Sequence, residues 1–133
     1  MIPQILTIID MKKIYTIKSN AVFTRMYAKG KCEVLPTVVV YVRKNTRLEN
    51  AQIGITTAKK LGGAVSRNRA RRLIRESWRI LTKENEGLLN KPYYIVFVAR
   101  SKIFKKTCKM QSVKRDILHA LEKLGLIESE KEA

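Results

Sequence analysis

Residues 66–83 read Ser-Arg-Asn-Arg-Ala-Arg-Arg-Leu-Ile-Arg-Glu-Ser-Trp-Arg-Ile-Leu-Thr-Lys, and their apolar positions repeat with the period of an α-helix. Spacings of three and four residues gather the less polar side chains on one face: Ala70, Leu73, Ile74, Ser77, Trp78 and Leu81. Mostly on the other face lie Arg67, Asn68, Arg71, Arg72, Arg75 and Arg79. The stretch therefore predicts an amphipathic helix that covers a core and presents arginines outward.

Three strands are predicted around this helix. Residues 37–42 form a β-branched run after Pro36, and residues 51–57 return as a second strand after a polar loop at 44–50. A basic, glycine-containing loop at 59–63 then leads to the helix. Residues 93–99 are apolar on both faces, which favours a central position in the sheet.

Two further helices are predicted at the ends of this core. Residues 19–29 carry a narrow apolar stripe, with Ser19 or Asn20 as N-cap and Gly30 suited to a left-handed residue after the last turn. Residues 107–124 place Met110, Val113, Ile117, Leu121 and Leu124 on one face, and Gly125 ends that helix.

The element order is helix, strand, strand, helix, strand, helix, which predicts an α+β sandwich with helices packed against a small sheet. We expect three or four strands, mostly antiparallel, in a single domain over residues 11–127. Residues 1–10 are an N-terminal extension that is either an edge strand, a disordered arm or a non-native start before Met11. Residues 128–133 form a charged tail.

The charge balance points to a polyanionic partner. Lys and Arg number 28 against 11 Asp and Glu, giving a net charge of +17 and a pI near 10.2. Nucleic acid is the favoured partner because binding releases counterions from its phosphates. A membrane would need a basic amphipathic helix with large apolar residues or a polybasic tail. No apolar run reaches membrane-spanning length, and the N-terminus has the reverse of a secretory signal's order, so cytoplasm is expected.

The basic charge is concentrated in residues 59–79, which hold eight Lys or Arg and only Glu76 as an acid. A solvated helix face is the ordinary interpretation, but such faces usually mix acids among the bases. Four arginines within six residues at a helix start also oppose the helix dipole. We therefore favour nucleic-acid contact through arginine forks that grip phosphates.

Phe23, Tyr27 and Tyr41 form a second candidate site. The first two share a helix face and the third lies within a strand, so the three could line a groove where unpaired bases stack. Aromatic residues four apart on a helix are also common in cores, and the pattern alone leaves both interpretations open.

Catalytic candidates within the chain are weak. The acidic residues are scattered instead of clustered for two-metal hydrolysis, and His119 is the only histidine. Cys32 and Cys108 lack metal-site spacing and are expected to be reduced packing residues. The chain is thus interpreted as a binder, either a non-catalytic subunit of a ribonucleoprotein or a general structured-RNA binder of ribosomal-protein type. The alternative is a stand-alone nuclease that relies on His119.

Residues 59–76, Lys-Lys-Leu-Gly-Gly-Ala-Val-Ser-Arg-Asn-Arg-Ala-Arg-Arg-Leu-Ile-Arg-Glu, resemble the signature of bacterial ribonuclease P protein subunits. Phe23, Tyr27, Gly30, Lys31 and the strand ending near Tyr41 are also similar to that family, and the resemblance covers about residues 12–124. It implies a fold like the second domain of ribosomal protein S5, with a left-handed βαβ crossover. Thr56-Thr57-Ala58 and Gly63 depart from the family's usual loop before the helix.

The same resemblance implies a function and its sites. A catalytic RNA subunit would remove the 5′ leader of precursor tRNA, assisted by this protein as a monomer, with Mg²⁺ bound mainly by RNA and none held tightly by the protein. The residues implied to face the RNA subunit are Lys59, Lys60, Arg67, Asn68, Arg69, Arg71, Arg72 and Arg75. Those implied to line the leader cleft are Phe23, Tyr27 and Tyr41.

Overall fold

The computed structural model describes residues 14–128, which form one five-stranded sheet with helices on both faces. The strands are β1 (Tyr15–Thr16), β2 (Lys31–Val34), β3 (Val38–Lys44), β4 (Gln52–Thr56) and β5 (Tyr93–Ala99). The helices are α1 (Asn20–Lys29), α2 (Ala64–Glu84) and α3 (Met110–Lys123), with 3₁₀ turns at Lys59–Leu61 and Ser101–Phe104. The α+β class is confirmed.

The sheet runs in the order β1-β4-β5-β3-β2, so β5 is central, as its apolar sequence predicts. The expectation of three or four strands was wrong, because the short strands β1 and β2 add to the two edges. The expectation of a mostly antiparallel sheet holds only for β2, β3 and β5. The pairs β1–β4 and β4–β5 are parallel, since helix α2 connects β4 to β5 and returns the chain to the same end of the sheet.

Helices α2 and α3 cover one face of the sheet and enclose the main core. Ile74 and Trp78 of α2 and Ile117 of α3 are fully buried there against Ile95 and Phe97 of β5. Most of the apolar face predicted for α2 is buried, with Leu73 only partly covered. This helix begins two residues before the predicted Ser66.

A buried carboxylate joins α3 to the start of β3. Asp116 Oδ2 accepts hydrogen bonds from the Thr37 backbone N–H at 3.0 Å and from its hydroxyl at 2.6 Å. Helix α3 begins at Met110 instead of Thr107, following the 3₁₀ turn, and the chain turns at Gly125 with φ of 88°. The glycine stop predicted for this helix is therefore confirmed.

Helix α1 lies on the opposite face of the sheet, where Met26 packs against Ile17 and Val96. Ser19 is its N-cap, as one of the two predicted candidates. The left-handed conformation expected at Gly30 was wrong, because its φ is −73°. A Cβ there would lie 2.7 Å from the Met26 carbonyl oxygen and 3.2 Å from that of Val42. Close backbone approach, instead of positive φ, explains this glycine.

The described residues exclude both ends of the chain. The predicted 1–10 extension and residues 129–133 of the predicted tail lie outside the described residues. Among residues 14–128, no helix has the length and apolar character needed to cross a bilayer.

Candidate nucleic-acid interface

The outer surface of α2 carries the basic residues predicted for RNA contact. Its buried face is set by Ala70, Ile74 and Trp78, and a rotation of about 100° per residue turns Arg72 and Arg75 away from it. Both arginines are exposed, as are Asn68 and the preceding Lys59 and Lys60. We call the exposed residues Lys59, Lys60, Asn68, Arg72 and Arg75 the α2 surface, which includes the turn just before the helix.

Arg69 points inward, unlike its neighbours. Its guanidinium donates to the carbonyl oxygens of Cys108 at 2.5 Å and Ile103 at 3.5 Å, which join α2 to the segment before α3. Removing this side chain would leave two partly buried carbonyls without their donor. Arg69 therefore has a structural role in joining α2 to the segment before α3, although the resemblance groups it with the RNA-facing arginines.

Three more arginines of α2 also make contacts within the chain. Arg67 donates to the Gly62 carbonyl oxygen at 3.3 Å, and Arg71 donates to Asn68 Oδ1 at 3.2 Å. Arg79 forms an ion pair with Glu76. In both Arg67 and Arg71, the Nη1 atom of the guanidinium is thus already engaged within the chain. Arg72 and Arg75 have no ion pair within residues 14–128.

The N-terminus of α2 adds to this positive surface. Gly63 is the N-cap and makes no side-chain hydrogen bond, and the first turn contains no acidic residue. The first backbone N–H groups of a helix carry a partial positive charge and favour anions. Lys59 and Lys60 lie in the 3₁₀ turn just before this end, so their cationic side chains precede the free backbone N–H groups of the helix by only a few residues.

The aromatic residues predicted as a second site come together on the other face of the sheet. Phe23 lies over Gly54, where a Cβ would approach its ring to 2.4 Å. This contact packs the half-buried Phe23 of α1 against β4. Gly54 is therefore needed because no side chain fits between β4 and that ring.

Tyr27 and Tyr41 form the open part of this site. Their rings meet edge to face with centroids 5.2 Å apart and planes at 81°. The Tyr27 and Thr56 hydroxyl groups are hydrogen-bonded at 2.8 Å, and Tyr27 is 43% exposed. We call Tyr27, Tyr41 and Thr56 the aromatic cleft. An unpaired base could stack there against rings held in a fixed orientation.

Two members of this surface were not predicted. Thr56 was predicted only as part of a strand and as a departure from the family's usual loop, although the hydroxyl repeat Thr56-Thr57 could have suggested a polar anchor. Cys32 pairs directly with Tyr41 in the register of β2 and β3, so both side chains lie on the cleft face. The interpretation of Cys32 as a packing residue was wrong, because it is exposed. Cys108 is buried as predicted, and burial raises the pKa of its thiol.

Three acidic side chains have partners elsewhere in the fold. Asp116 binds Thr37, Glu76 pairs with Arg79, and Glu84 pairs with Lys114 at 2.9 Å. Between residues 14 and 128, no three His, Cys, Asp or Glu side chains are grouped to hold a metal. His119 lies exposed on α3, on the other side of the sheet from the aromatic cleft.

Known proteins resemble this chain over most of its length. A sequence model of the family named Ribonuclease P matches residues 11–125. The ribonuclease P protein component of Clostridium novyi is 37% identical over 117 residues, which cover 87% of this chain and 98% of that protein. The solved Staphylococcus aureus RNase P protein has a TM-score of 0.72 at 29% identity, over 87% of this chain and 100% of that one. For the Thermotoga maritima RNase P protein the values are 0.65, 25%, 78% and 92%.

Proposed function

Because the chain belongs to the ribonuclease P protein family, we propose that it binds the catalytic RNA subunit through α2 and the 5′ leader of precursor tRNA through the aromatic cleft. The family membership makes the chain a protein component of the endoribonuclease that matures tRNA 5′ ends. The two surfaces, their separate partners and the monomeric state in the complex are the proposal.

The observation that carries the assignment to the RNA subunit is the pair Arg72 and Arg75. Both are exposed, and neither is paired with an acid in the described part of the chain. A net charge of +17 on 133 residues repels itself until a polyanion neutralises it. Guanidinium groups suit a folded RNA because each can bind a phosphate with two parallel hydrogen bonds.

The leader is assigned to the aromatic cleft because single-stranded RNA is recognised through stacked, unpaired bases. Tyr27 presents an exposed ring whose hydroxyl is hydrogen-bonded to that of Thr56. The ring also meets that of Tyr41 edge to face, so its orientation is fixed. Helix α2 lies on the other face of the sheet, so the two RNAs could bind together. The RNA-facing residues in this proposal are Lys59, Lys60, Arg67, Asn68, Arg71, Arg72 and Arg75.

Catalysis is assigned to the RNA subunit. Asp116, Glu76 and Glu84 are engaged by Thr37, Arg79 and Lys114. The acidic side chains of the described residues form no group of three with one another or with His or Cys, which does not fit a protein metal centre. Mg²⁺ in the assembled enzyme would then be bound mainly by RNA. The protein's contribution would be to position the substrate, in the cytoplasm where tRNA is processed.

Replacing Tyr27 with alanine should weaken binding of leader-bearing precursor tRNA to the reconstituted enzyme about tenfold, within the range of one lost base–aromatic stack. Binding of mature tRNA should not change, and Tyr27→Phe should retain most of the affinity because the ring remains. Fluorescence titration with both RNAs measures this difference. Equal losses on the two RNAs would contradict a leader cleft and favour a general structured-RNA binder.

A further inference from the structure

A basic recess lies on the other side of α1 from the aromatic cleft. It has a volume of about 470 Å³ and is formed by α1, the end of β3 with its following loop, and Tyr94 of β5. Four cationic side chains line it: Arg25, Arg43, Lys44 and Arg47. No carboxylate of the described residues does so. The α2 surface and the aromatic cleft include none of these residues.

The positions of its members follow from the fold. Arg43 and Tyr94 are paired across β3 and β5, two residues along each strand from the Tyr41–Val96 pair. Because side chains alternate along a strand, Arg43 and Tyr94 lie on the same face of the sheet as the cleft. On α1, the helical rotation puts Arg25 on the flank opposite Tyr27, with Met26 between them against the sheet. The recess and the aromatic cleft are therefore separated by one helix.

Arg43 supplies the observation that points to a ligand. Its Nη1 atom is buried and has no hydrogen-bond partner among residues 14–128. A buried donor without an acceptor destabilises the fold, and a shift of the Arg43 side chain toward an anion in the recess that it lines would supply that acceptor. None of the ion pairs within the described chain involves Arg25, Arg43, Lys44 or Arg47.

The loop that carries Arg47 is held in place. Asn45 donates its backbone N–H to the Pro92 carbonyl oxygen at 2.8 Å, and its side-chain Oδ1 accepts from the Arg47 N–H at 3.0 Å. These bonds position the turn before any ligand arrives, which lowers the ordering cost of binding. Four cationic side chains beside the ring of Tyr94 match a nucleotide unit, with its phosphate on the guanidinium groups and its sugar or base on the ring.

We propose that the recess formed by Arg25, Arg43, Lys44, Arg47 and Tyr94 binds a backbone phosphate of RNA, as a third contact apart from the α2 surface and the aromatic cleft. The inference rests on the proposed function, because it takes RNA as the ligand. The phosphate belongs either to precursor tRNA or to the RNA subunit, and the chemistry of the recess is the same for both.

The test uses the double variant Arg25→Gln/Arg43→Gln, with Arg25→Gln alone as a variant that alters only an exposed side chain. Arg115→Gln/Lys123→Gln removes two exposed charges from α3 and is the matched control. Two titrations are measured over a range of salt: precursor tRNA into the assembled enzyme, and the RNA subunit into the free protein. We expect the double variant to lose about tenfold in one titration, with its salt slope reduced by roughly one.

A loss on precursor tRNA assigns the phosphate to the substrate, and a loss on the RNA subunit assigns it there; either supports the site. The inference is overturned if the single and double variants match the control in both titrations while the wild-type protein binds both RNAs, and the proposed function then stands. A wild-type protein that binds neither RNA overturns both proposals.

Discussion

Replacing both Arg72 and Arg75 with glutamine should weaken binding of the RNA subunit about a hundredfold at physiological salt. A hydrogen bond to a charged group contributes roughly 1.5–3 kcal/mol, and each 1.4 kcal/mol is about tenfold in affinity. Because both side chains are exposed and unpaired within the described chain, the free energy of unfolding should change by less than about 0.5 kcal/mol. The loss would thus be one of binding alone.

The salt dependence distinguishes phosphate contact from a general loss of charge. The slope of log K against log salt should fall by about two for this variant, one for each phosphate released. Arg115→Gln/Lys123→Gln carries the same charge change on α3 and should leave affinity and slope close to wild type. Equal effects in the two double variants would mean that α2 acts only through the net charge of the protein.

Replacing Trp78 with alanine should lower the free energy of unfolding by about 4 kcal/mol, within the range for large aromatic truncations in a core. Trp78 is fully buried and its ring centroid lies 6.0 Å from that of Phe97, so the cavity would open between α2 and the sheet. Small domains are stable by only about 5–15 kcal/mol. Much of the protein's stability would therefore be lost.

Trp78→Phe is the matched comparison. The indole Nε1 is buried without a hydrogen-bond partner in the described residues, so phenylalanine removes volume but also an unsatisfied donor. We expect a loss below about 1.5 kcal/mol for this change. Urea unfolding followed by circular dichroism measures both, since the chain has a single tryptophan and the variants lack its fluorescence. A Trp78→Ala loss as small as that of Trp78→Phe would contradict the packing described.

The sequence predicts the elements whose pattern reports directly on burial. The apolar positions of α2 recur with the helical period because that face is buried from Ala70 to Leu81 against the sheet and α3. The central place of β5 follows from its apolar residues on both faces. Phe97 faces the main core beneath α2 and α3, and Val96 faces the cluster beneath α1. Such patterns are local, and each can be read without knowing the rest of the fold.

What the sequence does not predict depends on contacts between distant segments. Strand β2 has a mostly exposed pattern, and its pairing with β3 is what makes it a strand. Arg69 is indistinguishable from Arg72 by residue type, and its inward contacts depend on the carbonyl oxygens of Ile103 and Cys108, which lie far along the chain. The recess at Arg43 likewise needs α1, β3 and β5 together, so no single stretch indicates it.

The central claim is that the protein positions RNA and leaves the cleavage to its RNA partner. The most direct test measures cleavage of leader-bearing precursor tRNA at moderate Mg²⁺ by the protein alone, by ribonuclease P RNA alone, and by the two together. We predict no cleavage by the protein alone and faster cleavage by the two together than by the RNA alone. Cleavage by protein freed of RNA, or no gain on adding it to the RNA, would contradict the account.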